Sequence, residues 1–261
     1  MKKVLVIGEY HPELLKALDR AKQKNVIEDY CNYSDYMTKP TINTNGLPDA
    51  IYTNELDYIL SLTNDTFCSD YIVMKGKIHS SDFLRIIIEI NKRYTKEKTI
   101  LSHCAILEKN RTKFILSDAA FNLELTDKNQ MAIYNNAVKF YKDFTKKETE
   151  PIVNYILAEC NENIPNYNKI KGFPETVITT QLDTALDIEK AKFKNGTDAK
   201  KADIIIVPDI NVGNAIWKSL TTLSDYIASG FIIGTKFVCL LNSRGDSSLS
   251  YYKSIVYGTR L

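Results

Sequence analysis

The sequence predicts an α/β protein whose largely parallel sheet is covered by helices on both faces. Short runs rich in β-branched residues alternate with longer segments of helical periodicity, as in KVLVIG followed by HPELLKALDRAKQ. The same order recurs in DYIVMKG with SSDFLRIIIEINKRY, and in ADIIIVPD with VGNAIWKSLTTLSDYIA. Strands and helices that alternate at this rhythm form βαβ units, and βαβ units build parallel sheets.

Length and composition narrow the class of protein. A chain of 261 residues is longer than a typical domain, so we expect one large or two modest domains. Apolar residues make up 44% and charged residues 25%, which is ordinary for a globular protein. The formal net charge of +2 gives no broad field that would hold nucleic acid or an anionic membrane. We therefore expect neither as a partner, and any anion site should be local.

The cysteines and the apolar runs indicate a cytoplasmic protein. Five cysteines are an odd number, and they are widely spaced with no CxxC pair, which favours free thiols in a reducing compartment over disulfides or structural zinc. They are Cys31, Cys68, Cys104, Cys160 and Cys239. The N-terminal run KVLVIG is followed by no small-residue cleavage site, and FIIGTKFVCLL is far shorter than the roughly 20 residues of a membrane helix.

One region departs from the βα rhythm. In TILSHCAILEKNRTKFILSDAAF, two apolar runs flank Glu108 to Arg111, which predicts an antiparallel hairpin before a helix from about Asp127 to Lys146. The segments PIVNYILAEC, FPETVITT and LDTALDIEKAKF are expected to continue the α/β pattern in a second domain. The polar segments 32–49 and 192–201 are predicted to be surface connections.

Polar residues that follow the predicted strands are the candidates for function. In open α/β sheets, ligands bind beyond the carboxyl ends of the strands, where helix N-termini present free N–H groups. Lys75 and Gly76 end one strand, Ser80 and Ser81 lie at the expected N-cap of the next helix, and Arg85 lies one turn further. Glycine permits close backbone approach and the cations attract an anion, although an ordinary strand-to-helix turn would also explain this segment.

Other predicted strand ends carry a similar set of polar residues. Each has a structural alternative, because an isolated histidine is usually a core residue and Asp or Asn often caps a helix or turn. These residues are Ser102, His103, Asp118, Asn122, Asp209 and Asn214. Gly213 lies within a predicted helix, where glycine costs about 1 kcal/mol relative to alanine, so it indicates close packing or ligand approach.

The segment NSRGDSSLSYY combines a strand end with a helix start. Arg244 can make a bidentate contact with phosphate or carboxylate, and Ser243 with the helix N–H groups can supply further donors. Asp246, Ser247 and Ser248 can cap the following helix. No GxGxxG, Walker A, HExxH or GxSxG motif is present, so these strand ends indicate a small anionic ligand without specifying a reaction.

Five segments together resemble the phosphate acetyl/butyryl transferase family, and most of all its phosphate butyryltransferase branch. In chain order they are MKGKIHSSDFL, LSHCAILE, LSDAAFN, ADIIIVPDINVGN and IIGTKFVCLLNSRGDS, and the resemblance spans about residues 60 to 258. It implies a two-domain, three-layer isocitrate/isopropylmalate dehydrogenase-like α/β fold with the active site in a cleft between the domains. The implied domains are 1–120 plus 231–261, and 121–230.

The resemblance also implies a reaction and site residues. The reaction converts an acyl-CoA and inorganic phosphate into an acyl phosphate and CoA, with no cofactor or metal beyond these substrates, in a homodimer or higher homo-oligomer. Ser243 would donate to the reacting carbonyl or thiol, and Arg244 would anchor phosphate. The remaining candidates would contact the substrates: Lys75, Gly76, Ser80, Ser81, Arg85, Ser102, His103, Asp118, Asn122, Asp209 and Asn214.

The sequence departs from the family pattern just after this motif. Ser250 stands where the acetyltransferase branch carries an acid, and Leu249 stands where the butyryltransferase branch carries one. A second hypothesis is therefore a catalytically silent homologue that binds CoA or an acyl phosphate as a sensor or subunit. An NAD-dependent decarboxylating dehydrogenase is disfavoured, because the sequence shows no carboxylate set for its metal.

Overall fold

The computed structural model describes residues 1–38, 55–124, 126, 128–157, 177–181 and 202–261, and the chain divides into two compact units. The first unit contains residues 1–99 and 235–261, and the second contains residues 100–234. The boundaries expected from the sequence had placed the hairpin in the first unit. It lies in the second, because its two strands pair with other strands of that unit.

The first unit is built on four parallel strands in the order β2-β1-β3-β10. The strands are β1 (Lys3–Ile7), β2 (Tyr30–Cys31), β3 (Tyr71–Lys75) and β10 (Val238–Leu240). The helices are α1 (Pro12–Gln23), α2 (Tyr33–Thr38), α3 (Glu55–Leu62), α4 (Phe67–Asp70), α5 (Ser80–Tyr94) and α8 (Ser248–Gly258).

Helix α1 shows why these segments are helical. Pro12 occupies the first turn, where a missing N–H costs nothing, and the apolar residues recur at helical spacing on one face. That face is buried and consists of Leu14, Ala17, Leu18 and Ala21. Helix α1 packs against α8, so the start and the end of the chain meet in this unit.

The second unit contains a mixed sheet in the order β9-β4-β5-β8-β6-β7. Its strands are β4 (Ser102–Lys109), β5 (Thr112–Ser117), β6 (Val153–Leu157), β7 (Val177–Gln181), β8 (Ile204–Ile206) and β9 (Ile227–Ile233). Its described helices are α6 (Gln130–Thr145) and α7 (Ile210–Leu223). The predicted hairpin is confirmed, since β4 and β5 are antiparallel and Asn110 turns the chain with a φ of 53°.

The two surface connections expected from the sequence have different outcomes in the structure. Residues 33–38 of the expected connection 32–49 form α2, because Asn32 and Asp35 cap the first turn reciprocally through side chain and backbone. The expected connection 192–201 and the segment LDTALDIEKAKF lie outside the described residues. Helix α6 begins three residues later than predicted.

Two other sequence expectations concern single residue types and membrane spans. Four cysteines are free thiols, as expected: Cys31, Cys68, Cys104 and Cys239. Cys160 lies outside the described residues. None of the described helices combines the length and the apolarity that crossing a membrane would require.

Gly213 is explained by close packing of α7 against the turn that follows β5. A Cβ atom on Gly213 would lie 2.6 Å from the Cα of Ala119 and 3.1 Å from Cγ2 of Val207. Backbone cannot move aside as a flexible side chain can. Of the two sequence interpretations, contact within the protein is therefore the one that the structure supports.

Gly213→Ala should destabilise the protein by about 1–3 kcal/mol, because an added methyl group overpacks a backbone contact. The measurement is the free energy of unfolding in urea. Gly245→Ala is the matched control, since its added Cβ would meet nothing within 4 Å. The control should change stability by less than about 0.5 kcal/mol, and equal losses in both variants would contradict this packing argument.

Candidate functional site

The carboxyl ends of β1, β3 and β10 come together at one edge of the first unit's sheet. The strands are parallel, with Ile7 paired to Lys75 and Leu240 paired to Met74. Residues that follow the strands therefore converge. We call four residues that follow the strands, together with a helical tyrosine that contacts two of them, the strand-end cluster: His11, Lys75, Ser243, Arg244 and Tyr251.

Lys75 is a buried cation at the end of β3. It is 4% exposed, and its Nζ donates a hydrogen bond to the carbonyl oxygen of Gly76 at 3.3 Å. Burial lowers the pKa of Lys75 to about 8, and the positive charge of Arg244 acts in the same direction. Two like charges held near each other favour an anion between them.

Gly76 lets the chain pass close to the strand beside it. A Cβ atom on Gly76 would lie 2.6 Å from the carbonyl oxygen of Glu9. Its N–H donates to the carbonyl oxygen of Ile7 at 2.8 Å, which continues the pairing of β1 and β3 beyond their ends. The glycine therefore fixes the position of Lys75 relative to the residues that follow β1.

Arg244 lies on the exposed side of the strand-end cluster. Its Nη2 donates to the carbonyl oxygen of Ile78 at 3.0 Å, which ties the segment after β10 to the segment after β3. Among the residues that the structure describes, neither Arg244 nor Lys75 forms a salt bridge. The positive charge of this edge is therefore not neutralised by a direct ion pair in the described part of the chain.

Asp246 is a buried carboxylate that holds the segment carrying Arg244. Its Oδ2 accepts hydrogen bonds from the backbone N–H of Ser243 and from Nδ2 of Asn242, each at 3.0 Å. Burial raises the pKa of Asp246 to about 6, although both hydrogen bonds oppose this rise. The helix itself is capped by the next residue, because Oγ of Ser247 accepts from the N–H of Ser250.

A carboxylate from α1 also caps the N-terminus of α8. Oε2 of Glu13 accepts a hydrogen bond from the N–H of Ser248 at 3.0 Å, and Oε1 contacts Nζ of Lys16. The hydrogen bonds from Lys16 and Ser248 lower the pKa of Glu13 to about 2. A negative charge at a helix N-terminus is favourable, so Glu13 stabilises the start of α8.

Tyr251 connects the first helix with the motif after β10. Its hydroxyl donates to the carbonyl oxygen of Ser243 at 2.8 Å and lies 3.1 Å from Nε2 of His11. The two rings meet edge to face, with centroids 5.1 Å apart. Tyr251 is 1% exposed, so this contact is held in a packed environment.

The second unit brings its predicted polar residues to the ends of β5 and β8, where they bond to nearby groups. Asp118 is buried and accepts from the N–H groups of the three residues from Ala120 to Asn122. Nδ2 of Asn122 donates to Asp118 and to the carbonyl oxygen of Leu101. Asp209 caps α7 by accepting from two backbone N–H groups, as the structural alternative predicted.

The start of β4 is also buried. Oγ of Ser102 accepts a hydrogen bond from Nδ2 of Asn136 at 3.0 Å. The His103 ring stacks on Trp217, with centroids 5.0 Å apart and planes 12° from parallel. Asn214 is half-buried on α7. No group of three or more metal-ligating side chains occurs among the described residues.

The sequence comparisons identify the relatives of this chain. The model of the family "Phosphate acetyl/butaryl transferase" matches residues 179–258. The chain is 30% identical over 202 residues to the phosphate butyryltransferase of Clostridium acetobutylicum, a match that covers 70% of this chain and 66% of that protein. The phosphate butyryltransferase of Clostridium beijerinckii is 31% identical over 205 residues, with the same coverage. The chain spans just under two thirds of the length of these two relatives, and over the matched residues it is similar to the phosphate acetyl/butyryl transferase family.

Two solved structures are similar to this chain. A branched-chain phosphotransacylase from Enterococcus faecalis V583 superposes with a TM-score of 0.72 at 25% identity, covering 100% of this chain and 98% of that one. A β-decarboxylating dehydrogenase from Thermococcus kodakarensis shares the fold at a TM-score of 0.50 and 12% identity, covering 99% and 82%. The predicted isocitrate dehydrogenase-like fold class is thereby confirmed.

Three of the predicted site residues lie on the first turns of α5. Ser80 and Ser81 begin the helix and are exposed, but the N-cap is His79, so the expected N-cap position of the serines is wrong by one residue. Arg85 is exposed and lies 3.5 Å from Asp82. Asp82 lies one turn before Arg85 on the same helix and partly neutralises its positive charge.

Sequence reasoning missed His11 and Tyr251. His11 follows the first strand, and the rule that selected Lys75 and Ser243 would also have selected it if applied to β1. No local signal marks Tyr251, because it lies inside a helix and its contact with His11 joins residues 240 positions apart. Only the packing of α1 on α8 shows this pair.

Asp246→Asn should remove a pH dependence of stability that the wild type shows between about pH 4 and pH 6. The folded-state pKa is about 6 and the unfolded value about 3.9, so the folded state binds more protons in this window. Wild-type stability relative to the variant should therefore fall as pH rises, by about 1–3 kcal/mol in total. Urea unfolding of both proteins across this range measures it, and parallel curves would contradict the assignment.

Proposed function

We propose that this protein transfers a short-chain acyl group, butyryl or branched, between CoA and inorganic phosphate. Similarity to the family supports this activity, and so do the names of the two phosphate butyryltransferases and of the branched-chain phosphotransacylase that the chain resembles. The observation that carries the proposal is the pair of cations at the strand-end cluster, Lys75 and Arg244, which no described carboxylate neutralises by a salt bridge.

The proposed roles follow from the chemistry of the two cations. A guanidinium offers a planar fork that matches two phosphate oxygens, whereas an ammonium acts as a compact point charge. Arg244 is therefore the proposed anchor for phosphate, and Lys75 the proposed charge that stabilises the oxyanion developing at the acyl carbon. Ser243, held through its backbone by Asp246 and Tyr251, is the proposed hydroxyl donor to the reacting group.

Catalysis of this kind depends mainly on positioning. Phosphate must be held beside the thioester carbonyl, and fixed donors must face the charge that develops in the transition state. The hydrogen bond from Arg244 to Ile78 fixes the guanidinium before any ligand arrives. We also propose that the enzyme works in the cytoplasm as a homodimer or higher oligomer and needs no cofactor beyond its substrates.

Phosphate-dependent release of CoA from butyryl-CoA or a branched relative should be measurable, and Arg244→Ala should lower kcat/KM for phosphate by roughly 100- to 1,000-fold. Arg244→Lys should recover only part of this loss, because an ammonium cannot make the bidentate contact. The measurement is steady-state kinetics with a series of phosphate concentrations. Arg111→Ala is the control, since Arg111 is exposed at the hairpin turn of the second unit.

Two outcomes would overturn parts of this proposal. Wild-type protein that binds CoA by calorimetry but turns over no acyl-CoA from C2 to C6 would favour the silent homologue. Turnover with unchanged phosphate kinetics in Arg244→Ala would keep the activity and remove the anchor assignment. Equal losses in Arg244→Ala and Arg111→Ala would also remove it.

A further inference from the structure

The contact between His11 and Tyr251 fixes the position of a proton. A tyrosine hydroxyl carries one proton, and that of Tyr251 is donated to the carbonyl oxygen of Ser243, which can only accept. The contact at 3.1 Å must therefore run from Nε2–H of His11 to the tyrosine oxygen. In a neutral imidazole the other nitrogen, Nδ1, is then unprotonated and able to accept a proton.

Within the described part of the chain, the hydrogen bond of the His11 side chain is made by Nε2 and not by Nδ1. His11 is the N-cap residue of α1, but its side chain accepts no hydrogen bond from the N–H groups of that helix. The ring is half-buried and follows β1 at the edge that carries Lys75 and Arg244. An imidazole that can accept a proton at Nδ1 therefore follows this strand end, where the charge of Lys75 acts on it.

The charges around His11 favour the neutral ring. The groups that act on it are Tyr251 from α8, Lys75 from β3 and Glu13 from α1. Burial and then the positive charge of Lys75 hold the pKa of His11 below its usual range, while Glu13 acts in the opposite direction. At neutral pH the ring is thus in the form that accepts a proton.

The other titratable groups of this edge are less suited to take a proton from a thiol. Oδ2 of Asp246 already accepts two hydrogen bonds, and its carboxyl group is 7% exposed. Glu13 is bound to Ser248 and Lys16, and a carboxylate with a pKa near 2 is a weak base. Lys75 has a pKa of about 8 and is mostly protonated at pH 7.

We propose that His11 is the catalytic base that takes the proton of the CoA thiol, and that Tyr251 is the positioning residue that fixes its tautomer. This assignment rests on the proposed function. As CoA attacks an acyl phosphate, the thiol proton moves to Nδ1 and the sulfur lone pair forms the C–S bond. The C–O bond to phosphate breaks, and its electron pair leaves with phosphate. In the opposite direction, the imidazolium returns the proton to the departing thiolate.

His11→Gln tests the base by keeping a donor to Tyr251 while removing the accepting nitrogen. We expect kcat for CoA attack on butyryl phosphate to fall about 100- to 10,000-fold, with KM for the acyl phosphate within a factor of about three. In the wild type, kcat should fall at acidic pH, below the usual range of a histidine pKa, as His11 is protonated, and the variant should lack this limb. Added imidazole should restore part of the activity of His11→Ala.

His79→Gln is the matched control, because His79 is exposed and its side chain caps nothing. It should keep wild-type kinetics. Full activity in His11→Gln, equal losses in both glutamine variants, or a wild-type pH limb that persists in His11→Gln would overturn the assignment. Turnover by the wild type in the same assay shows that the proposed function stands even if the base is wrong.

The tautomer can be measured without any turnover. Nitrogen-15 NMR of the wild type should show His11 protonated at Nε2 and unprotonated at Nδ1 near pH 7. Tyr251→Phe keeps the ring contact but removes the hydroxyl, and it should shift this tautomer balance and lower kcat by about 10-fold or more. Protonation at Nδ1 in the wild type, or an unchanged balance in Tyr251→Phe, would contradict the positioning role.

Discussion

The parallel pairing of β3 with both β1 and β10 is the constraint on which the proposed site depends. Parallel neighbours end at the same edge, so the residues after three strands from distant parts of the chain converge there. Gly76 makes this convergence close, since the carbonyl oxygen of Glu9 occupies the place of a Cβ atom. Lys75, Arg244 and His11 follow strand ends at the same edge because of this register, and not because of any local motif.

The second constraint is that the carboxylates near this edge already accept hydrogen bonds from other groups of the protein. Asp246 accepts from backbone and amide N–H groups, and Glu13 accepts from the first turn of α8 and from Lys16. Each carboxylate thus stabilises the backbone that carries the site instead of pairing with Lys75 or Arg244. Hydrogen bonds that satisfy the acids elsewhere leave the two cations to attract an anionic substrate.

Much of the fold followed from the sequence because hydrophobic periodicity is local. The alternation of strands and helices, the hairpin of β4 and β5, and the cap at Asp209 all depend on residues close together in the chain. Helix α2 was missed because its capping pair, Asn32 and Asp35, lies in a segment of polar composition. The division into units depends on pairings between distant strands, which composition does not record.

The candidate site was predicted only in part, for a related reason. Polar residues at strand ends selected Lys75, Gly76, Ser243 and Arg244, which the register brings to one edge. The same rule also selected Asp118 and Asn122, whose described hydrogen bonds are those of a turn. Burial and hydrogen-bond partners distinguish the residues of the candidate site from residues that only stabilise a turn. Neither property can be deduced from a single sequence.

A crystal structure of the protein with arsenate would test the central claim most directly. Arsenate resembles phosphate in shape and charge, and the anomalous scattering of arsenic marks its position without ambiguity. The account predicts an arsenic peak at the strand-end cluster, with oxygens about 2.7–3.2 Å from the guanidinium of Arg244 and from Nζ of Lys75. Arsenate bound elsewhere on the protein, with this edge empty at saturating concentration, would contradict it.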